Sequence, residues 1–147
     1  IPIVGGRDQK TPMNEVRIAY DSPWKSQHFK AISVNYKRAP YFEYYVDSLK
    51  ALYDNEYVYL NDFLMATQQW TKQQLKSKWL IDTSIEQPTI HIENKWMDSI
   101  KPNNFQTEGE QFQYQQVFDE HTGFIQNTCI IDALFAMGGK QALAMIS

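Results

Sequence analysis

His28 lies in a predicted helix at residues 23–39 and has polar side chains near it on the same helix. Asn35 and Tyr36 follow His28 by seven and eight residues, which places all three on or near one helical face. An imidazole titrates near neutral pH and can act as a general base, and an amide and a phenol beside it can hold a sugar hydroxyl or a phosphate oxygen. The alternative is a buried polar cluster, because Trp24 and Ile32 continue the same helical stripe and pack in a core.

A second pair of polar residues, Tyr114 and Gln116, lies in a polar stretch at residues 106–116. We interpret this stretch as an extended loop, in which residues two apart point to the same side. Loops carry binding residues more often than packed elements do, so we predict that both side chains bind a ligand. The alternative is that the amide of Gln116 pins the loop to the backbone.

Asp132 interrupts an otherwise apolar helix, and a buried charge needs a partner. One interpretation pairs it with Arg38, Lys37 or His28, and another makes it catalytic. The commonest alternative is a carboxylate in the first turn that satisfies helix N–H groups. In that case Asn127 or Thr128 takes the capping position, because a cysteine caps poorly.

Cys129, the one cysteine of the chain, precedes this helix. A thiol there can attack an acyl group with His121 as its base, although a lone cysteine is ordinarily a small buried side chain. His28, His91 and His121 are scattered and lack the spacing of a zinc site. No glycine-rich nucleotide motif is present either, so we predict neither a metal nor a cofactor.

The chain reads as strands first and helices afterwards. We predict strands at residues 1–4 and 13–20, helices at 23–39, 41–53 and 59–79, a short strand at 89–92, and helices at 130–137 and 140–146. Ser22 is the expected cap of the first helix, and Gly138 and Gly139 end the helix at 130–137. This order predicts one α+β domain over residues 1–147, with an N-terminal β-hairpin or edge strands packed on a mostly helical body.

Composition limits the classes of partner. The 147 residues carry 14 Lys and Arg against 17 Asp and Glu, a net charge of −3, which argues against binding to nucleic acid. No apolar run is long enough to span a membrane, and a single cysteine fits a reducing compartment, so we predict a cytoplasmic protein. Aromatic residues make up 14 % of the chain and are compatible with a homodimer.

Two blocks of sequence resemble the WbqC-like family. The first runs from Trp24 through His28, Ile32, Asn35 and Tyr36 to the segment APYF at residues 39–42. The second block begins YQQVF at residues 114–118, continues through GFI at 123–125 and IIDALF at 130–135, and closes at Gly138. The family's opening segment has no counterpart before the IPIV of residues 1–4, so we expect the chain to lack an N-terminal part.

The resemblance implies a pathway, because the family occurs in bacterial gene clusters for O-antigen and other surface polysaccharides. Some members are described as glycine or acyl-group transferases acting on amino sugars. It therefore implies a transferase with His28 and Asp132 as catalytic residues and Asn35, Tyr36, Tyr114, Gln116 and Asn127 as substrate-binding residues. The substrate would be a sugar nucleotide or an amino sugar. Gln126, Thr128 and Cys129 depart from the family pattern at this site.

Two hypotheses remain open on these residues. In the first, the protein transfers an acyl or aminoacyl group to an amino sugar. In the second, it is a non-catalytic module that binds a sugar nucleotide or serves as a scaffold in the same pathway. Convergence of His28, Gln116 and Asp132 on one cleft would favour the enzyme, and separate packing of the three would favour the module.

Overall fold

The structure is a computed structural model that describes residues 1–6, 10–79, 104, 112–126 and 128–146. Helices dominate these residues. These ranges contain a short 3-10 helix at Met13–Glu15 and six α-helices. The α-helices are α1 (Trp24–Tyr36), α2 (Phe42–Asp54), α3 (Leu60–Leu75), α4 (Asp119–Thr122), α5 (Ile130–Met137) and α6 (Gly139–Met145). The strand predicted at residues 89–92 lies outside the described residues.

The prediction of an α+β fold with an N-terminal hairpin or edge strands is wrong. The described residues form no β-strand, and their extended segments pair only through isolated bridges between Ile3 and Ile18 and between Arg17 and Tyr59. The 3-10 helix takes up the first part of the strand predicted at 13–20. Val16 and Ile18 are both buried, but Ala19 is buried as well and Tyr20 is 47 % exposed, so no strand-like alternation continues along this segment.

The apolar stripes of α2 and α3 build most of the core. Phe42, Leu49 and Leu52 of α2 recur at helical spacing and are buried against Phe63 and Trp70 of α3 in one cluster. These helices pack on each other and on α5 and α6.

α5 lies at the centre of this cluster, because its sequence is apolar almost all round. Phe135 is fully buried, and its ring lies 5.2 Å from that of Tyr36 and 5.3 Å from that of Phe42. The N–H group of Tyr41 donates to the carbonyl of Phe135 at 2.9 Å, which ties the start of α2 to α5. Through these contacts α5 fixes how the ends of α1 and α2 meet.

Helix boundaries differ from the predicted ones in places. α1 begins after Pro23 without a side-chain cap, so Ser22 does not have the predicted role. α3 ends at Leu75 rather than at residue 79, because Lys76 adopts a left-handed conformation with φ of 53°. Gly138 has φ of 80° and separates α5 from α6, as glycine permits.

Candidate functional site

The end of α1, the start of α5 and the segment 112–118 meet around one carboxylate. We call the five side chains there the Asp132 cluster: Tyr36, Tyr114, Gln116, Thr128 and Asp132. Asp132 lies in the first turn of α5 and is only 5 % exposed. Both blocks of the family resemblance contribute to this cluster.

Hydroxyl groups satisfy the buried carboxylate. The phenol of Tyr114 donates to Oδ2 of Asp132 at 2.6 Å. Since that phenol has one proton, the hydroxyl of Thr128 is the donor in its 2.9 Å contact with the Tyr114 oxygen. Among the described residues, no Lys, Arg or His lies within 4.0 Å of the carboxylate, so the expected ion pair with Arg38, Lys37 or His28 does not form.

Tyr36 reaches the same carboxylate from α1. Burial raises the pKa of Tyr36 well above its usual range, and the interaction with Asp132 raises it further. Burial and the hydrogen bond to Asp132 likewise raise the pKa of Tyr114. Both phenols are therefore protonated donors at neutral pH, and they bring the three segments together at Asp132.

Gln116 fastens the segment 112–116 to the chain beyond α4. Its Nε2 donates to the carbonyl oxygen of Ile125 at 2.7 Å, and its Oε1 accepts from the N–H group of Ile125 at 2.8 Å. The side chain is 7 % exposed. This is the pinning role that the sequence left open beside ligand binding.

A polar cleft of about 560 Å³ lies next to the cluster. Its walls come from the end of α1, the turn that follows it, the segment 115–118 and α4. The lining residues are Val34, Asn35, Lys37, Arg38, Pro40, Gln115, Gln116, Val117, Phe118, Asp119, Glu120, His121 and Ala136. Phe118 joins the cleft to the cluster, since its ring lies 6.4 Å from that of Tyr36.

The cleft carries two basic and two acidic side chains that form no close ion pairs with each other. Lys37 and Arg38 line it from the turn after α1, and Asp119 and Glu120 line it from α4. Within the described ranges, neither cation has a carboxylate within 4.0 Å. The two adjacent cations are therefore without a direct ion pair, in a cleft that also carries two carboxylates.

His28 lies elsewhere on α1. Its ring is 5.3 Å from that of Trp24 and 6.4 Å from that of Tyr53, both in edge-on arrangements. Burial lowers its pKa. Two helical turns, about 12 Å, separate it from Tyr36, and it does not line the cleft.

The structure thus divides the predicted site residues. Tyr36, Tyr114, Gln116 and Asp132 converge, Asn35 lines the neighbouring cleft, and Asn127 lies outside the described residues. Asn35 also donates from Nδ2 to the carbonyl of Ala31 at 2.8 Å, as a helical amide can.

Sequence reasoning missed the roles of four residues. Lys37 and Arg38 appeared only as candidate partners of Asp132, and His121 only as a base for Cys129. Thr128 joins the Asp132 cluster, and its position four residues before Asp132 on the chain is the one signal that could have found it.

A comparison with protein families decides the affiliation. The family model described as the WbqC-like protein family matches residues 1–101. The chain belongs to the WbqC-like family. This match covers α1, α2 and α3 of the WbqC-like protein, including the two cations of the cleft, whereas the block at residues 114–138 lies beyond it. No curated protein matches the chain, and no solved structure does.

Membership of the WbqC-like family indicates, at the level of the family, a role in polysaccharide-related biosynthesis. In the described ranges, no helix combines the length and the hydrophobicity needed to cross a bilayer. No three His, Cys, Asp or Glu side chains of the described residues are grouped so that they could hold a metal ion.

Proposed function

We propose that this protein binds a sugar nucleotide in the cleft, as part of polysaccharide-related biosynthesis. The observation that carries this proposal is the pair Lys37 and Arg38, which line the cleft without a carboxylate partner among the described residues. A diphosphate is the anionic part of a sugar nucleotide, and a guanidinium beside an ammonium binds phosphate oxygens through charge-assisted hydrogen bonds.

The other walls of the cleft suit the remaining parts of such a ligand. Phe118 is 40 % exposed and offers a ring face against which a sugar or a base can stack. The carboxamides of Asn35 and Gln115 also line the cleft and can bond to sugar hydroxyls. This binding function does not depend on a reacting group.

Acyl or aminoacyl transfer to an amino sugar is the second candidate, and one observation favours it. His121 lines the same cleft as the two cations, together with Asp119 and Glu120. An imidazole at that wall can take the proton that an attacking amine loses, and the carboxylates attract an amine in its charged form. The assignment of catalysis to His28 and Asp132 remains a prediction, which substitution of His28 by Gln tests in the transfer assay described below.

Binding is tested by isothermal titration calorimetry of the full chain with UDP-glucose and UDP-N-acetylglucosamine. We expect Kd to rise at least about tenfold in Lys37→Gln and Arg38→Gln, because a hydrogen bond to a charged group contributes about 1.5–3 kcal/mol. Lys30→Gln is the matched control, since Lys30 is exposed on α1 and does not line the cleft.

Absence of binding by either sugar nucleotide, or equal weakening in all three variants, would overturn the proposal. The transfer hypothesis is tested separately by mass spectrometry of UDP-glucosamine incubated with the protein and an acyl thioester. A gain of the acyl mass that His121→Gln abolishes and His28→Gln leaves intact would support transfer in the cleft.

A further inference from the structure

A second cavity of about 700 Å³ shares no lining residue with the cleft. It lies between α1, α2, α3 and the start of α5. Leu49 and Leu52 of α2 and Ile130 and Ile131 of α5 form much of its wall. Ligand cavities in proteins fall between about 300 and 1,000 Å³, so this one is large enough for a small molecule.

Three donors along this wall, from Thr67, Trp70 and Thr71, are already satisfied, whereas Gln68 of α3 lines it as an exposed carboxamide. The hydroxyl of Thr67 donates to the carbonyl of Leu64 at 2.7 Å, and that of Thr71 donates to the carbonyl of Thr67 at 2.9 Å. The indole N–H of Trp70 donates to Ser48 at 3.0 Å. Because these donors are engaged within the fold, the wall offers a ligand mainly methyl groups and rings.

One cation interrupts this apolar wall. Lys72 of α3 lines the cavity and is half-buried, and none of the described carboxylates lies within 4.0 Å of its ammonium group. An ammonium group without a counter-ion among the described residues, on a side chain that lines an apolar cavity, is complementary to a molecule with a hydrocarbon part and one negative charge.

We propose that this cavity binds the hydrocarbon chain of an anionic amphiphile, with the anionic headgroup at Lys72. Apolar burial supplies the affinity, and Lys72 selects the headgroup. The headgroup is a carboxylate or a phosphate, which share the charge that Lys72 recognises. This site is independent of the sugar-nucleotide cleft.

Cys129 provides a direct reporter of occupancy. It is the one cysteine of the chain, it is exposed, and it lines the cavity. Because the thiol is exposed, its reaction with dithiobis-nitrobenzoate slows only when a bound molecule covers this part of the cavity lining. Decanoate, decyl phosphate and decanol, each added below its aggregation concentration, test the chain and the headgroup separately.

We expect decanoate and decyl phosphate to slow the reaction at least about fivefold at saturation. Shorter carboxylates test the hydrocarbon chain. Affinity should fall about fourfold for each methylene removed along the series decanoate, octanoate and hexanoate, as burial of a hydrocarbon chain predicts. Lys72→Gln should weaken decanoate about tenfold and leave decanol unchanged. Lys78→Gln, an exposed lysine outside the cavity, is the matched control and should behave as the natural chain does.

An unchanged reaction rate with all three compounds would overturn the proposal and would mean that the chain's own residues fill the cavity in solution. Equal effects of decanoate and decanol, with no change in Lys72→Gln, would overturn the role of the headgroup. Affinity that does not depend on chain length would overturn the proposed burial of the hydrocarbon chain, because adsorption to the surface would then explain the protection. Circular dichroism of both variants establishes that they fold.

Discussion

Asp132 is the residue on which three distant parts of the chain depend. Its carboxylate accepts a hydrogen bond from the phenol of Tyr114 and interacts with Tyr36. No cation lies within 4.0 Å of it among the described residues. The sequence marked Asp132 as unusual because it interrupts an apolar helix. It could not name the partners, since residues 36, 114 and 132 are brought together by packing and not by local spacing.

Loss of this carboxylate should destabilise the protein. Asp132→Leu removes the acceptor that the part-buried phenols of Tyr36 and Tyr114 share, so we expect a decrease of about 2–4 kcal/mol in the free energy of unfolding. Urea denaturation followed by circular dichroism measures it. Asp62→Leu is the control, because Asp62 also lies in the first turn of a helix, α3, but is exposed. Equal losses in the two variants would contradict the role of the cluster.

Alkaline pH should act on the same cluster. Burial and Asp132 raise the pKa of Tyr36 in the folded protein above its ordinary value of 10.0, so folding favours the protonated phenol. Its contribution to stability is complete below pH 10 and is lost as the pH rises above that value. Tyr36→Phe should therefore show a shallower fall in the free energy of unfolding between pH 9 and pH 11.

Tyr44→Phe is the matched control for this pH dependence, since Tyr44 is 79 % exposed and belongs to the neighbouring helix α2. It should retain the slope of the natural chain in urea denaturation across the same pH range. A slope in Tyr36→Phe that equals the slope in Tyr44→Phe would show that Tyr36 does not titrate with unfolding.

At the scale of elements, helical periodicity was reliable and the predicted strands were not. The buried residues of α2 and α3 recur at helical spacing over several turns, and this spacing predicted both helices. The alternation at Val16 and Ile18 covers two residues, and a 3-10 helix precedes it. The end of α3 escaped prediction because Lys76, and not a glycine, adopts the left-handed conformation.

The close contact between α3 and α6 gives a sharp test of this packing. A Cβ atom on Gly139 would lie 2.1 Å from the carbonyl oxygen of Gln74, and the N–H group of Gly139 donates to the Tyr45 hydroxyl at 2.7 Å. Gly139→Ala should therefore lower the free energy of unfolding by about 2–3 kcal/mol, although alanine normally stabilises a helix relative to glycine.

Thermal denaturation measures this effect, and Lys140→Ala is the control. Lys140 is the next residue of α6 and is exposed, so its substitution should leave the melting temperature within about 2 °C. A Gly139→Ala protein at least as stable as the natural chain would show that α6 does not lie against the end of α3 in this way.

At the scale of the whole molecule, the overall charge conceals the feature on which the proposed function depends. The chain is acidic, with a net charge of −3, yet Lys37 and Arg38 line one cleft and form no ion pair within 4.0 Å among the described residues. Composition could exclude a large polyanion, but it could not show a site for a small one. The cleft arises only when the turn after α1 packs beside α4. The homodimer remains a prediction, which light scattering in solution tests.

The most direct measurement is a titration of the ¹⁵N-labelled protein with UDP-glucose, followed by amide chemical shifts. We expect the chemical-shift changes to concentrate at residues 35–38 and 115–121, and we expect Arg38→Gln to reduce all of these changes. Shifts that are absent, or that centre on the cavity around Leu49 and Ile131 while the cleft amides stay still, would contradict the proposed function.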